Sequence, residues 1–146
     1  MKKLIFPLTL AVSILFTGCS NAQNKSEAAG TENQEATTSQ VVNKDVNVAE
    51  FAKLVEQGNG LLLDVRTEGE YAEGHLEGST LININGPDFQ QKIKELDPET
   101  PVYVYCRSGA RSGNAAKIMK QLGFKTVYNL EGGILAWQRS GKPVVR

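Results

Sequence analysis

After residue 41 the hydrophobic positions alternate between two spacings, one typical of buried strands and the other of amphipathic helices. Apolar runs of strand length occupy residues 61–65, 81–84, 101–105 and 126–128. Between them, apolar residues recur at helical spacing over residues 48–55, 89–96, 115–122 and 134–137. Gly58 and Gly123 follow two of these segments, where glycine commonly ends a helix. The pattern therefore predicts strands that alternate with helices.

This alternation predicts an α/β fold. Strands separated by helices form a parallel sheet with right-handed crossovers, and the helices cover both faces of the sheet. We therefore expect a three-layer sandwich with a central parallel sheet. In such sheets ligands bind beyond the carboxyl ends of the strands. Cys106 directly follows the predicted strand at residues 101–105, so it is expected where the fold places its chemistry.

The segment before residue 41 has a different composition. A basic start at residues 1–3 precedes an apolar run at residues 4–16, which has the length of a signal peptide and is too short to cross a bilayer. Residues 20–40 are small or polar, contain no aromatic residue and predict a flexible tether. We expect a signal peptide at residues 1–18, a tether at 19–44 and a folded domain at 45–146.

Residues 15–19, Leu-Phe-Thr-Gly-Cys, resemble a bacterial lipobox. The resemblance implies that Cys19 is lipidated and becomes the mature N-terminus, so that a lipid anchor holds an exported protein at the membrane of the bacterial cell envelope. An ordinary secretory signal with an unmodified cysteine is the alternative. If Cys19 is lipidated, Cys106 has no intramolecular disulfide partner, and a lone thiol in an exported protein needs a function.

The charge balance gives no global preference for a polyanionic partner. The 146 residues include 16 basic and 16 acidic side chains, so neither nucleic acid nor an anionic membrane surface is expected to attract the protein. Any anion site must be local. The sequence also lacks a Gly-rich fingerprint with a following lysine that would cradle a phosphate, and no cofactor is expected.

The loop at residues 106–112 carries the strongest chemical signal. It reads Cys-Arg-Ser-Gly-Ala-Arg-Ser and lies between a predicted buried strand and a helix expected to begin near Ser112. A tight turn there directs backbone N–H groups inward, and the positive end of the helix adds to their attraction for negative charge. Arg107 and Arg111 contribute full charges. These features favour the thiolate form of Cys106 and predict a nucleophile.

Several separated motifs together resemble the rhodanese-type sulfurtransferase family over about residues 46–143. They are Leu63-Asp64-Val65-Arg66 with Glu70-Tyr71, Gly74-His75-Leu76-Glu77-Gly78-Ser79, the loop at Cys106, Gly123-Phe124, and the run Leu-Glu-Gly-Gly-Ile-Leu-Ala-Trp at residues 130–137. The resemblance implies a rhodanese-like three-layer fold. With the lipobox, it identifies the chain as similar to single-domain rhodanese-like lipoproteins of the thiosulfate sulfurtransferase type.

The resemblance implies sulfur transfer in two steps. Cys106 attacks the outer sulfur of a small anionic donor such as thiosulfate, sulfite leaves, and the sulfur stays on Cys106 as a persulfide. A nucleophilic acceptor then removes it, either a thiol, a cyanide-like ion or a protein. The family pattern surrounds the sulfur with loop amides and assigns the orientation of the donor to the two loop arginines. The binding residues implied are Arg107, Ser108, Gly109, Ala110, Arg111 and Ser112.

Two other functions fit part of the pattern. Related folds that act as phosphatases or arsenate reductases use a His-Cys pair followed by five residues and an arginine. Here Tyr105 precedes the cysteine and Arg111 follows after four residues, which disfavours that chemistry. The second alternative is a non-catalytic or sulfur-carrier module of the cell envelope, whose inactive form the intact loop disfavours.

Three further polar residues are expected to support the site. Asp64 and Arg66 lie at a predicted strand end and are expected to form a structural hydrogen-bond pair, because a cysteine of low pKa needs no carboxylate base. His75 is the one histidine of the sequence. Without a second histidine to help hold a metal it is expected to order a loop, and no metal site is predicted.

Overall fold

The computed structural model describes residues 41–146. The predicted signal peptide, the predicted lipidation site Cys19 and most of the predicted tether lie outside the described residues. The described part has no helix long and apolar enough to cross a membrane. Its elements are β1 (Val42–Val46), α1 (Val48–Glu56), β2 (Leu61–Asp64), α2 (Glu68–Glu73), β3 (Thr80–Leu81), α3 (Phe89–Lys94), β4 (Val102–Tyr105), α4 (Ala110–Gln121), β5 (Thr126–Leu130) and α5 (Gly133–Arg139).

The five strands form one sheet in the order β1-β5-β4-β2-β3, and every neighbouring pair is parallel. This confirms the predicted parallel sheet. β4 is the central strand, so its carboxyl end is flanked by the ends of β5 and β2. Cys106 follows directly after β4 and therefore sits in the middle of the edge where α/β proteins bind ligands.

Side chains of β4 alternate between the two faces of the sheet, and each face has its own core. Val102, Val104 and Cys106 belong to the cluster that packs against α3 and α4, whereas Tyr103 and Tyr105 belong to the cluster that packs against α1 and α5. The period of two is the ordinary alternation of a strand. Because Cys106 continues this alternation, its side chain is buried beneath α4, and the predicted three-layer arrangement is confirmed.

Two elements were not predicted from the sequence. β1 is an edge strand in which only Val46 is buried, and its middle residues are polar, so it has no apolar run. It begins at Val42, although the predicted tether extends to residue 44. α2 contains no buried residue and therefore has no apolar stripe. It is defined instead by a capping box, in which the Thr67 side chain accepts a hydrogen bond from Glu70 N and the Glu70 side chain accepts one from Thr67 N.

Candidate active site

The loop that follows β4 turns sharply at Gly109, which has φ of +94° and caps α4. A Cβ at this position would lie 3.1 Å from Gly132 N and from Leu130 O, so the turn needs glycine both for its dihedral angle and for its close packing. α4 begins at Ala110. The helix predicted to begin near Ser112 starts two residues earlier, because the left-handed turn at Gly109 brings the chain into helical geometry there.

Cys106 is a free cysteine, and the residue is 0% exposed. Gly109 N donates a hydrogen bond to its Sγ at 3.2 Å. Burial raises the pKa of the Cys106 thiol, but the Ser112 hydroxyl and the amides of Ser112, Ser108 and Gly109 lower it by more, so the pKa lies below the ordinary cysteine value. The loop thus stabilises the thiolate with hydrogen bonds from inside the fold.

The Ser112 hydroxyl has two acceptors within reach and a single proton to donate. One is the carbonyl oxygen of Gly109, at 3.1 Å, and the other is the Cys106 sulfur, whose pKa it lowers. A charged acceptor forms the stronger hydrogen bond. We therefore assign the proton to the sulfur when Cys106 is ionised and to Gly109 O when it is neutral.

The first turn of α5 holds the other side of the loop. Ile134 N donates to Cys106 O at 2.9 Å, and Leu135 N donates to Arg107 O at 3.2 Å. Gly133 has φ of +58°, and a Cβ there would lie 2.6 Å from the carbonyl carbon of Arg107. The sequence predicts Gly132-Gly133 only as the turn that opens the last helix. The structure shows that this turn also fixes the backbone of the nucleophile.

Asn129 connects the loop to the edge of the sheet. Its Nδ2 donates to Gly109 O at 3.2 Å and to Asp45 Oδ1 at 2.8 Å, and the residue is 4% exposed. Sequence reasoning missed this residue. The available signal was an amide within the apolar run of β5, because a buried polar side chain needs partners to offset its desolvation.

Arg111 makes a two-pronged ion pair with Glu70 of α2. Nη1 donates to Oε2 at 2.8 Å and Nη2 donates to Oε1 at 2.6 Å. The hydrogen bond from Arg111 is the largest cause that lowers the pKa of Glu70 to about 2. The pKa of Arg111 is raised, mainly by Glu70 and to a smaller extent by the Cys106 sulfur, although burial of the guanidinium lowers it. The guanidinium expected to orient a donor thus already faces a carboxylate, which the sequence did not reveal.

Arg107 is exposed and borders a cavity of about 230 Å³ beside the loop. We call this cavity the mouth pocket. Its lining includes Glu70 and Glu73 from α2, and Ile134, Leu135 and Gln138 from α5. Arg107, which follows Cys106 in the loop, is the residue of residues 106–112 that lines the pocket.

Asp64 and Arg66 form a buried ion pair at the end of β2. Arg66 Nε donates to Asp64 Oδ2 at 2.9 Å, and Arg66 Nη2 donates to Asp64 Oδ2 at 2.7 Å and to Gly74 O at 2.8 Å. His75 stacks on Tyr71 with the ring centroids 3.7 Å apart. These contacts order the segment around α2, which carries Glu70 to the loop.

Ser108 and Ala110 are the remaining loop residues that the resemblance predicts around the sulfur. Ser108 and Ala110 are exposed, and the Ser108 amide is among the donors that lower the pKa of the Cys106 thiol. Gly109 N donates to the same sulfur at 3.2 Å. Chemically, this arrangement can generate a buried thiolate nucleophile and stabilise negative charge on its sulfur.

Comparison with known proteins identifies the domain family. Residues 47–140 match the rhodanese-like domain family. YtwF of Bacillus subtilis, which is named a putative sulfurtransferase, is 38% identical over 101 residues, which cover 68% of this chain and 95% of YtwF. A sulfurtransferase of Allochromatium vinosum is 37% identical over 93 residues, which cover 64% of this chain and 85% of that protein.

The chain also matches parts of longer proteins. It is 35% identical over 100 residues to a tRNA uridine(34) hydroxylase of Chlamydia pneumoniae, of which it spans only 31%. Among solved structures, a rhodanese-related protein from Thermoplasma volcanium superposes with a TM-score of 0.62 and 32% identity, covering 70% of this chain and 97% of that one. The parallel sheet, the loop after its central strand and these matches agree, and the chain belongs to the rhodanese-like domain family.

Proposed function

We propose that the protein is a sulfurtransferase that carries sulfur as a persulfide on Cys106. The thiolate attacks the outer sulfur of an anionic donor, the S–S bond of the donor breaks, and the leaving group takes the electron pair. With thiosulfate the leaving group is sulfite. A nucleophilic acceptor, either a thiol, a cyanide-like ion or a protein thiolate, attacks the outer sulfur of the persulfide and restores the Cys106 thiolate.

A single observation carries this proposal: Cys106 is fully buried and yet has a lowered pKa, because the loop donates hydrogen bonds to its sulfur. A buried cysteine without such donors would have a raised pKa and would be inert. The same donors can accept the negative charge of a persulfide, so both states of the catalytic cycle are stabilised in one place.

Phosphatase or arsenate reductase chemistry has weaker support. Such chemistry needs an arginine free to bind the equatorial oxygens of a tetrahedral oxyanion. Arg111 comes after four intervening residues, and its guanidinium is bound to Glu70 at 2.6 and 2.8 Å. Release of phosphate from an aryl phosphate by the wild-type protein, lost in Cys106→Ser, would show that the sulfurtransferase proposal is wrong.

The direct test is to look for the sulfur on the cysteine. After exposure to thiosulfate and removal of the excess, mass spectrometry should find the mass of one added sulfur atom on the peptide that contains Cys106. Reduction with a thiol should remove it. Cys106→Ser is the matched control, because it keeps the size and burial of the side chain and removes the nucleophile.

The experiment also separates an enzyme from a carrier. Repeated turnover with a small acceptor indicates catalysis by this chain alone. A persulfide that forms once, and that only a protein acceptor removes, indicates the sulfur-carrier alternative. No added sulfur with any donor would favour the non-catalytic interaction module.

We also propose that the protein is exported and lipid-anchored through Cys19, on the support of the lipobox-like residues 15–19. Growth with a labelled fatty acid should label the wild-type protein in the membrane fraction and leave Cys19→Ser unlabelled. A label that persists in Cys19→Ser would disprove the anchor.

A further inference from the structure

A second cavity, of about 470 Å³, lies between β1, β5 and the first turns of α4. We call it the β1–α4 cavity. Its volume falls within the roughly 300–1,000 Å³ that is usual for pockets that hold small ligands. The lining includes Asp45 from β1, Asn129 from β5, and Gly113 and Lys117 from α4, but not Cys106. This cavity is therefore separate from both the thiol and the mouth pocket.

Asn129 lines the β1–α4 cavity with one half of its amide unsatisfied. Its Nδ2 donates to Gly109 O and to Asp45 Oδ1, and both of these residues also line the cavity. Its Oδ1 is buried and has no hydrogen-bond partner within the part of the chain that the structure describes. A buried carbonyl oxygen without a donor destabilises a fold. Asn129 thus needs a donor that residues 41–146 do not supply.

Gly113 leaves open space beside this amide. It is an interior residue of α4 and is not among the glycines with positive φ, so its backbone would accept an alanine, which favours a helix more than glycine does. A Cβ at this position would lie 3.4 Å from Asn129 Nδ2. Any side chain larger than glycine would therefore extend over the amide and narrow the cavity.

The charged residues of the cavity lie towards its two ends. Asp45 is paired with Asn129 at the end next to the active loop. Asn43, two residues earlier on the same face of β1, donates to Ala116 O at 2.9 Å, next to Lys117. The rise of a parallel strand separates these two ends by about 7 Å along β1. Asp45 and Lys117 are exposed, and neither belongs to an ion pair with another of residues 41–146.

The acidic end of the cavity suits a group that donates several hydrogen bonds. The Gly109 amide donates to the Cys106 sulfur, and the Gly109 carbonyl accepts from Asn129. The Asp45 carboxylate and the unsatisfied Asn129 oxygen are both acceptors. An ammonium group has three donors and a positive charge, and can therefore bind both at once. At the other end Lys117 offers a positive charge to an anionic group.

We propose that the β1–α4 cavity binds a small zwitterion of about the length of a dipeptide. Its ammonium group donates to Asp45 and to Asn129 Oδ1, and its carboxylate pairs with Lys117. Two extended residues span about 7 Å, which matches the separation of the two ends along β1. The binding neither makes nor breaks a covalent bond and does not use Cys106, so the inference is independent of the proposed function.

Glycylglycine and two blocked forms of it test the two ends separately. N-acetylglycylglycine lacks the ammonium group, and glycylglycinamide lacks the carboxylate. Each peptide is titrated into the isotope-labelled full chain, and NMR follows the side-chain amide of Asn129 and the backbone amide of Gly113. Glycylglycine should shift both signals to saturation. Each blocked form should bind about fivefold more weakly, because it loses one partly exposed ion pair.

Variants at the two ends should reverse these preferences one at a time. Asp45→Asn keeps an acceptor for Asn129 but should bind glycylglycine and N-acetylglycylglycine about equally. Lys117→Gln should bind glycylglycine and glycylglycinamide about equally. Lys120→Gln, on the same helix, exposed and outside the lining, is the matched control and should keep both preferences. A variant that merely loosened the fold would weaken all three peptides together.

Gly113→Leu tests the cavity itself, and it should abolish the binding of glycylglycine because the new side chain occupies the space beside Asn129. Cys106→Ser should bind glycylglycine as tightly as the wild type, whether or not the protein transfers sulfur. The inference is overturned if glycylglycine shifts neither signal to saturation, or if the wild type binds all three peptides equally. Either result would leave the persulfide on Cys106 unaffected.

Discussion

The Glu70 carboxylate both closes the capping box of α2 and binds Arg111 of the active loop. Its Oε2 accepts from Thr67 N at 3.2 Å and from Arg111 Nη1 at 2.8 Å. One side chain thus stabilises the start of a short helix and fixes a loop 41 residues away in sequence. The charge state of Glu70 should therefore affect both elements together.

The first prediction concerns stability in acid. The pKa of Glu70 is lowered from 4.5 to about 2 in the folded protein, so the ion pair stabilises the fold fully above the unfolded value. That contribution is lost as the pH falls from about 4.5 towards 2. Urea-unfolding midpoints should fall more between about pH 6 and about pH 3 in the wild type than in Glu70→Gln. Parallel losses in both proteins would contradict this assignment.

The second prediction concerns the hydroxyl of Ser112. Ser112→Ala removes the hydroxyl whose hydrogen bond lowers the pKa of the Cys106 thiol, so that pKa should rise. The thiolate then forms at higher pH, and sulfur transfer at neutral pH should slow and recover in alkali. Ultraviolet absorbance of the thiolate against pH, with Cys106→Ala as the blank, measures the change. If the midpoint of the thiolate titration is unchanged, the Ser112 hydroxyl donates its hydrogen bond only to Gly109 O.

The third prediction concerns Asn129 as a positioning residue. Asn129→Leu keeps the approximate size of the side chain but removes the hydrogen bonds to Gly109 O and Asp45 Oδ1. Unfolding free energy should fall by about 1–2 kcal/mol, and the pKa of the thiol should rise because the donor Gly109 N is held less firmly. Asp45→Ala removes the acceptor and should lower the free energy of unfolding. Asp45→Asn keeps an oxygen acceptor for Asn129 and should retain most of that free energy. A stability loss with an unchanged thiol pKa would limit Asn129 to a structural role.

The fourth prediction concerns the close contact at Gly133. Gly133 and Gly141 both have positive φ, +58° and +71°, but a Cβ at Gly141 meets nothing within 4 Å. Alanine at either site should lower the free energy of unfolding by about 1–2 kcal/mol, because its Cβ disfavours the left-handed dihedral. Only Gly133→Ala should also displace the Arg107 carbonyl and reduce sulfur transfer. Thermal unfolding and the transfer rate of the two variants measure the difference; equal activity in both would show that the loop tolerates the shift.

The sequence predicts the parts of the fold that have local apolar patterns. The runs in β2 and β4 are buried on both faces and read as strands, and the position of Cys106 after β4 follows from them. β1 and α2 lack such a pattern and were missed. The pairs Glu70–Arg111 and Asp45–Asn129 join residues 41 and 84 positions apart, and no local periodicity records which distant side chains meet.

The parallel direction of the strands has a practical consequence for attaching the protein to another object. Val42 begins β1 at the amino edge of the sheet, and Cys106 lies beyond the carboxyl edge. A bead, a surface or a fusion partner joined ahead of Val42 therefore attaches at the edge of the sheet opposite the active loop. Arg146 Nε donates to Glu73 O at 3.0 Å, and Glu73 lines the mouth pocket. A label joined after Arg146 would crowd the mouth pocket.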